Sequence, residues 1–213
     1  LEIQGYGVVE TGWTRSELIG GTISRAKQVR SLNRLTYSLL YAADFADRLE
    51  KEVLPALRSG FIVLADRYVF TAFARDVVRG ADRGWVRELF GFAPIPLLVL
   101  YLRIVVGTLI RRTIARGPID YFEAGMDMAL GQDPYDSFKR YQSLLIREYD
   151  RMASEFGFHV FRARLRPEKI QAQLREVVGE FLLERGGSDG LTAGAAGSLP
   201  EESTLPGARS LSS

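Results

Sequence analysis

Apolar positions along this chain form two kinds of run that alternate. Between residues 35 and 59 they recur at helical intervals, at Leu35, Leu39, Tyr41, Ala42, Phe45, Leu49, Val53 and Leu57, with Gly60 as the stop. Phe61-Ile62-Val63-Leu64-Ala65 then runs without interruption, too short for a helix and closed by Asp66. Such a run predicts a strand covered on both faces, the kind found in parallel sheets.

The same alternation extends along the chain. A short strand is expected over residues 5–10, carried by Val8 and Val9. Thr14-Arg15-Ser16-Glu17 has capping-box spacing and predicts a helix running to Arg30. Helices follow over 69–80 and 82–90, the second with Asp82 as its cap. A second buried strand is expected over 97–102 after Pro94 and Pro96, then a helix over 106–116 and a loop-rich stretch over 117–132. Residues 134–156 have strong helical periodicity, residues 158–163 read as a third strand, and 167–185 as a last helix with Pro167 in its first turn. Strands alternating with helices of this length imply right-handed βαβ crossovers and an α/β fold, a parallel sheet flanked by helices. Residues 186–213 are dominated by Gly, Ser, Ala and Pro, which predicts a disordered tail or linker behind one domain over 1–185.

Composition removes several chemistries. The 213 residues include no cysteine and one histidine, His159, so thiol catalysis, cysteine-ligated zinc and multi-histidine metal sites are excluded. The longest apolar stretch, 93–102, is half the roughly 20 residues that a membrane span needs, so no membrane partner is expected. A net charge of +2 is too small for a nucleic-acid coat. Only Lys27, Lys51, Lys139 and Lys169 among the 28 basic residues are lysines. Arginine's planar fork suits phosphate oxygens, although a GC-rich genome produces the same bias. The chain opens Leu1-Glu2-Ile3-Gln4 without an initiator methionine or an apolar leader, which predicts a start inside a longer protein.

In parallel sheets ligands gather at the carboxyl ends of strands, where Asp66-Arg67-Tyr68 falls. A carboxylate there can hold a metal or orient a nucleophile, and an arginine beside it can grip phosphate. The plainer reading is a surface turn capped by Asp66.

Leu39-Leu40-Tyr41-Ala42-Ala43-Asp44, then Leu54-Pro55-Ala56-Leu57-Arg58-Ser59-Gly60, then the strand ending in Asp66-Arg67-Tyr68 resemble the middle of the thymidylate kinase family. The resemblance continues through Leu98-Val99-Leu100-Tyr101-Leu102, Arg111-Arg112, Arg116-Gly117 and Asp120-Tyr121-Phe122-Glu123, spanning residues 5–183. It implies a three-layer P-loop NTPase-like sheet, a nucleoside monophosphate acceptor, ATP as phosphoryl donor and Mg2+. By that resemblance Tyr41 stacks on the base, with Tyr68 near it. Asp66 organises magnesium and the acceptor phosphate, and Arg67 binds phosphoryl oxygens. Arg111, Arg112 and Arg116 belong to a mobile lid. Trp13 and Arg15 stand where the family has an Arg-Glu-Pro-Gly-Gly loop, echoed by Arg15, Gly20 and Gly21, and by the resemblance are candidate acceptor-side contacts. Plainer readings stand beside these: Tyr41 also fits a core position, and the lid arginines also suit a helix carboxyl end.

Two departures matter. No Gly-x-x-x-x-Gly-Lys-Ser/Thr occurs in the 213 residues, so the cradle for donor phosphates is missing. By the resemblance, this loop and the first strand precede Leu1. The sheet is then expected to carry a gap, and residues 1–213 alone are expected neither to bind ATP tightly nor to turn over. In addition, Phe45 stands where the family has a base-contacting arginine, and Ala72, Phe73 and Arg75 replace polar and tyrosine contacts. Arg75 is the candidate to compensate.

The expected function is a cytoplasmic dTMP kinase, converting ATP and dTMP to ADP and dTDP, with a homodimer implied by the resemblance. The alternatives are a catalytically silent kinase-like module that binds nucleotide or protein, and a P-loop phosphotransferase with a different acceptor.

Overall fold

The computed structural model describes residues 1–14, 16–29, 33–164 and 166–186, so Arg15 and, of the expected tail at 186–213, all but Gly186 lie outside the described residues. A single 3-10 turn, Glu2–Gln4, leads into β1 (Val8–Gly12), α1 (Gly20–Gln28) and α2 (Arg34–Arg48). The helix widens into a π segment, Leu49–Val53, and continues as α3 (Leu54–Arg58). Pro55 in the first turn of α3 supplies the cause, since its ring crowds the preceding turn and it offers no N–H. Then come β2 (Ile62–Asp66), α4 (Val69–Val78), α5 (Arg83–Leu89), β3 (Leu100–Arg103) and α6 (Val106–Ile114). A 3-10 turn at Met126–Met128, α7 (Pro134–Phe156), β4 (His159–Arg162) and α8 (Pro167–Gly186) complete the order.

Several ends follow local rules. The Asn33 side chain accepts from the Thr36 N–H at 2.9 Å, and Asp82 accepts from the Trp85 N–H at 2.9 Å. Asp133 accepts from both Tyr135 and Asp136 N–H groups, with Pro134 in the first turn, and Gly157 ends α7 at φ 67°. The capping box at Thr14 does not form. Thr14 has φ 59°, and α1 begins only at Gly20 without a side-chain cap. Tertiary contacts override the local signal: the Ser16 N–H donates to Asp44 Oδ1 at 3.1 Å and its hydroxyl to Asp47 Oδ2 at 2.6 Å.

Both strand pairings are parallel, β1 with β2 and β3 with β4, each spanned by two or more helices. Among the described residues they form two separate two-stranded sheets. Val63 of β2 and Tyr101 of β3 nevertheless pack against one apolar cluster. Its centre is α4, where Val69, Phe70, Thr71, Ala72, Phe73, Ala74 and Asp76 are all buried. A helix so enclosed belongs to the middle of a core. Phe45, Leu49 and Val53 pack on it from the α2 side, Val86 and Phe90 from α5, and Tyr141, Leu145 and Met152 from α7.

The expectation that the run at 61–65 is covered on both faces is corrected. Phe61 and Leu64 are 43% and 42% exposed, because β2 has a hydrogen-bonded neighbour on one side only among the described residues. Among these residues no helix is long and apolar enough to cross a membrane.

Candidate active site

The register of the first pair brings Gly12 opposite Asp66, so the residues that follow both strands open into one cavity. This cavity, of about 270 Å³, is lined by Trp13 and Thr14 after β1 and by Asp66 and Arg67 at the end of β2. Lys27 of α1, Tyr37 and Tyr41 of α2, Arg75 of α4, Arg79 just past its end, and Asp120, Phe122 and Glu123 of the loop before α7 complete it. Four cations and three carboxylates therefore face one space beside four aromatic rings.

Two features set its mouth under strain. Thr14 and Arg67 have φ of 59° and 69°, the left-handed region that side chains other than glycine's rarely adopt. Strained backbone of this kind costs on the order of 1–3 kcal/mol and persists only where its surroundings impose it. Around Thr14 the imposing structure is a buried polar chain. Arg48, 3% exposed, donates from Nε to Asp44 Oδ2 at 3.3 Å and from Nη1 to Thr11 Oγ1 at 2.9 Å. The Thr11 hydroxyl donates onward to Glu52 Oε2 at 3.1 Å. Since Asp44 also accepts from the Ser16 N–H, α2 ties down the segment after β1 on both sides of Trp13. Hydrogen bonds from Lys51 and Ser16 hold the Asp47 carboxyl at the edge of this network below its ordinary range.

A second clamp shapes the opposite wall. Arg79 donates from Nε to Asp127 Oδ2 at 2.8 Å, from Nη2 to the Phe122 carbonyl at 3.2 Å and from Nη1 to the Tyr141 hydroxyl. It fastens the loop carrying Phe122 to α4 and α7. Gly125 is required there: at φ 65°, a Cβ would stand 2.7 Å from Tyr141. Arg75, one turn earlier on α4, has no ion pair among the described residues and points its charge at the cavity. Burial, with Tyr41 close by, pushes the Tyr37 hydroxyl up to about 12, so it stays protonated and donates to the Tyr41 hydroxyl at 3.3 Å.

The structure thus brings Asp66, Arg67, Tyr41 and Arg75 together in one cavity. Tyr68 does not line it: its hydroxyl donates to the Pro94 carbonyl at 2.7 Å and its ring meets Phe45 edge-on at 5.0 Å. The three lid arginines also stand elsewhere. Arg111 lines a separate hollow with Val105, Gly107, Thr108 and Arg164, Arg112 donates to the Ala163 carbonyl at 3.2 Å, and Arg116 is exposed beyond α6. Lys27, Tyr37 and Arg79 enter the wall without having been singled out from sequence, and Phe122 was marked only within the resembling stretch Asp120-Tyr121-Phe122-Glu123. Two of them carried a legible signal, because Tyr37 precedes Tyr41 and Arg79 follows Arg75 by four residues, one helical turn on the same face.

A parallel α/β frame with an aspartate–arginine pair at a strand's carboxyl end, a cluster of cations and an aromatic wall has the make-up of a phosphotransferase that handles nucleotides. The family model described as thymidylate kinase matches residues 1–173, and the chain belongs to the thymidylate kinase family, whose α/β fold is that of the P-loop NTPases. A probable thymidylate kinase 2 of Saccharolobus solfataricus is 41% identical over 175 residues, 81% of this chain and 82% of the relative. Probable thymidylate kinases of Pyrococcus abyssi and Pyrococcus horikoshii are each 34% identical, over 60% and 58% of this chain. The matched region spans 65% and 63% of those two relatives' own lengths.

Proposed function

We propose that this protein is an ATP-dependent dTMP kinase and that the cavity at the ends of β1 and β2 is its acceptor site. The observation that carries the reading is the convergence of Asp66, Arg67, Arg75 and an aromatic wall on one space. Phosphoryl transfer asks a protein mainly for in-line positioning and charge neutralisation. An oxygen of the acceptor phosphate attacks the γ-phosphorus, the bond to the β–γ bridging oxygen breaks, and ADP leaves with that oxygen. Arg67, held by its strained backbone at the strand end, grips the acceptor phosphate bidentately. Arg75 reaches the nucleoside, its charge satisfied by a carbonyl or hydroxyl oxygen. Arg79 is committed to Asp127 and Phe122, and holds the wall.

Asp66 fits a magnesium ion. Among the described residues no group of three or more carboxylates or imidazoles could enclose a metal, but Mg2+ keeps most of its waters and needs only one or two carboxylates beside substrate phosphates. When bound, the ion neutralises charge on the transferring group. Arg111, Arg112 and Arg116 are proposed as the lid, which closes from α6 when donor phosphates are present. The same reading makes the enzyme a cytoplasmic homodimer.

Formation of dTDP from dTMP and ATP by the natural gene product tests this reading. The alternative reading is a nucleotide-binding module without turnover. Binding of dTMP without any dTDP would support that second reading and overturn the first.

A further inference from the structure

Two cations in the cavity wall have no counterion among the described residues. Lys27 of α1 and Arg75 of α4 both line the cavity, and among these residues neither enters an ion pair or donates a side-chain hydrogen bond. Both stand near the Tyr37 hydroxyl, which burial and Tyr41 push up to about 12 against the opposing influence of Arg75 and Lys27. Burial likewise raises the Tyr141 hydroxyl above the ordinary tyrosine range. With both phenols protonated at neutral pH, neither supplies an anion to Arg75. The carboxylates nearby are engaged elsewhere. Asp76 follows Arg75 but is 3% exposed, turned toward Ser38 and absent from the cavity wall. Asp120 Oδ1 accepts the N–H groups of Phe122 and Glu123 at 3.0 and 3.1 Å, and neither Asp120 nor Glu123 pairs with Lys27 or Arg75.

A hydroxyl completes this wall. Lys27 Nζ stands 5.8 Å from the centroid of the Tyr41 ring, and the Tyr41 oxygen accepts from Tyr37 at 3.3 Å. The Tyr41 proton then has no acceptor among the described residues and is left for a ligand oxygen. Ammonium, guanidinium and phenol all act as donors here. They are separate from the strand end: Arg67 precedes α4, whereas Arg75 lies beyond Val69 by about 9 Å of helical rise. A neutral oxygen would satisfy a hydrogen bond at this wall. An anion also neutralises the charge, and charge-assisted bonds are roughly twice as strong. We infer that Lys27, Arg75 and the Tyr41 hydroxyl form an anion-binding pole, so that the cavity takes nucleotides carrying a second anionic group on the nucleoside half. The inference rests on the acceptor-site reading above and names the substrate class of that site. The 5′-phosphate lies at Arg67, and a phosphoryl or carboxylate group on the sugar or the base meets the pole. Arg75 supplies a planar fork for two oxygens of that group, and Lys27 a point charge on a flexible stem. The group is held there, and no bond to it forms or breaks.

Calorimetry on the 213-residue chain compares dTMP with two probes. Thymidine 3′,5′-bisphosphate carries its second anion on the sugar, and 5-carboxy-2′-deoxyuridine 5′-monophosphate carries it on the base. At equal ionic strength at least one probe should bind about tenfold or more tighter than dTMP, the worth of a charge-assisted hydrogen bond. The probe that gains shows which half of the nucleoside faces the pole. Added salt should shrink the gain, because it screens the charge. In Lys27→Met, Lys27→Gln and Arg75→Met, with far-UV circular dichroism unchanged, the ratio of probe to dTMP affinity should fall to within about threefold of unity. Lys27→Arg should keep most of the gain. If neither probe reaches a tenfold gain on a wild-type chain that binds dTMP, the inference is overturned and the acceptor site stands. A gain that survives in the Lys27→Met, Arg75→Met double variant but disappears in Arg67→Met places both anions at the strand end and overturns it as well. If the wild-type chain binds none of the three nucleotides, the acceptor-site reading fails and takes this inference with it.

Discussion

Arg75 in the last turn of α4 and Arg79, which caps its end one turn on, have opposite surroundings: Arg79 closes on Asp127 at 2.8 Å, while Arg75 faces the cavity without an ion pair among the described residues. The two substitutions should therefore separate. Arg79→Met leaves Asp127 and the Phe122 carbonyl without their donor and should destabilise the fold by roughly 2–4 kcal/mol, read as a lowered denaturant midpoint. Arg75→Met should leave the unfolding free energy within about 0.5 kcal/mol of wild type. It should weaken dTMP binding at least tenfold, since a charge-assisted hydrogen bond contributes roughly 1.5–3 kcal/mol.

Strain at Arg67 predicts a trade between stability and activity. Arg67→Gly relieves the left-handed backbone at φ 69° and removes the guanidinium. Thermal stability should rise by up to about 1 kcal/mol while phosphate affinity collapses. Arg67→Lys keeps charge without the planar fork and should recover part of the affinity and none of the stability.

The tie between α2 and β1 is testable at Asp44. Asp44→Asn leaves the Arg48 guanidinium, 3% exposed, without its carboxylate and should cost about 3–5 kcal/mol. The loss should be accompanied by red-shifted Trp13 emission in a Trp85→Phe background, where Trp13 is the only indole, because Arg48 without its carboxylate loosens the tie from α2 to Thr11 beside Trp13.

Asp76 sets a pH dependence of stability. Burial raises its carboxyl above the ordinary range, against the opposing influence of Ser38, Arg79 and Arg75, and its Oδ2 has no partner among the described residues. A carboxyl whose folded pKa is raised binds more protons in the native state, so stability is fullest below the ordinary aspartate pKa. It falls as pH climbs from there through the raised value. Asp76→Asn should flatten that part of the pH–stability curve and raise stability at neutral pH by about 1–3 kcal/mol, the penalty of a buried unpaired group. Urea melts between pH 4 and pH 8 give the comparison.

The sequence shows the frame of this fold better than its site. Periodicity predicts α7 at its observed bounds, Pro134–Phe156, because Asp133, Pro134 and Gly157 are local signals that act through neighbouring backbone groups. The Thr14 box fails for the opposite reason: Ser16 is claimed by Asp44 and Asp47, about thirty residues away, and no local pattern encodes that competition. Continuous apolarity in 61–65 reports what a strand can bury, not what covers it. Within the site, Asp66, Arg67, Tyr41 and Arg75 were legible from motif and strand-end position. Which aromatic rings meet one another was not, because it depends on how Trp13, Tyr37 and Tyr41 stack in three dimensions.

The acceptor site is tested most directly by titrating the 213-residue chain with dTMP in a calorimeter, beside Arg67→Met and Arg75→Met. Saturable one-to-one binding is expected, weakened at least tenfold by either substitution, with far-UV circular dichroism unchanged. Absence of saturable binding to the wild-type chain, or equal affinity in all three proteins, would contradict the assignment of this cavity to the acceptor.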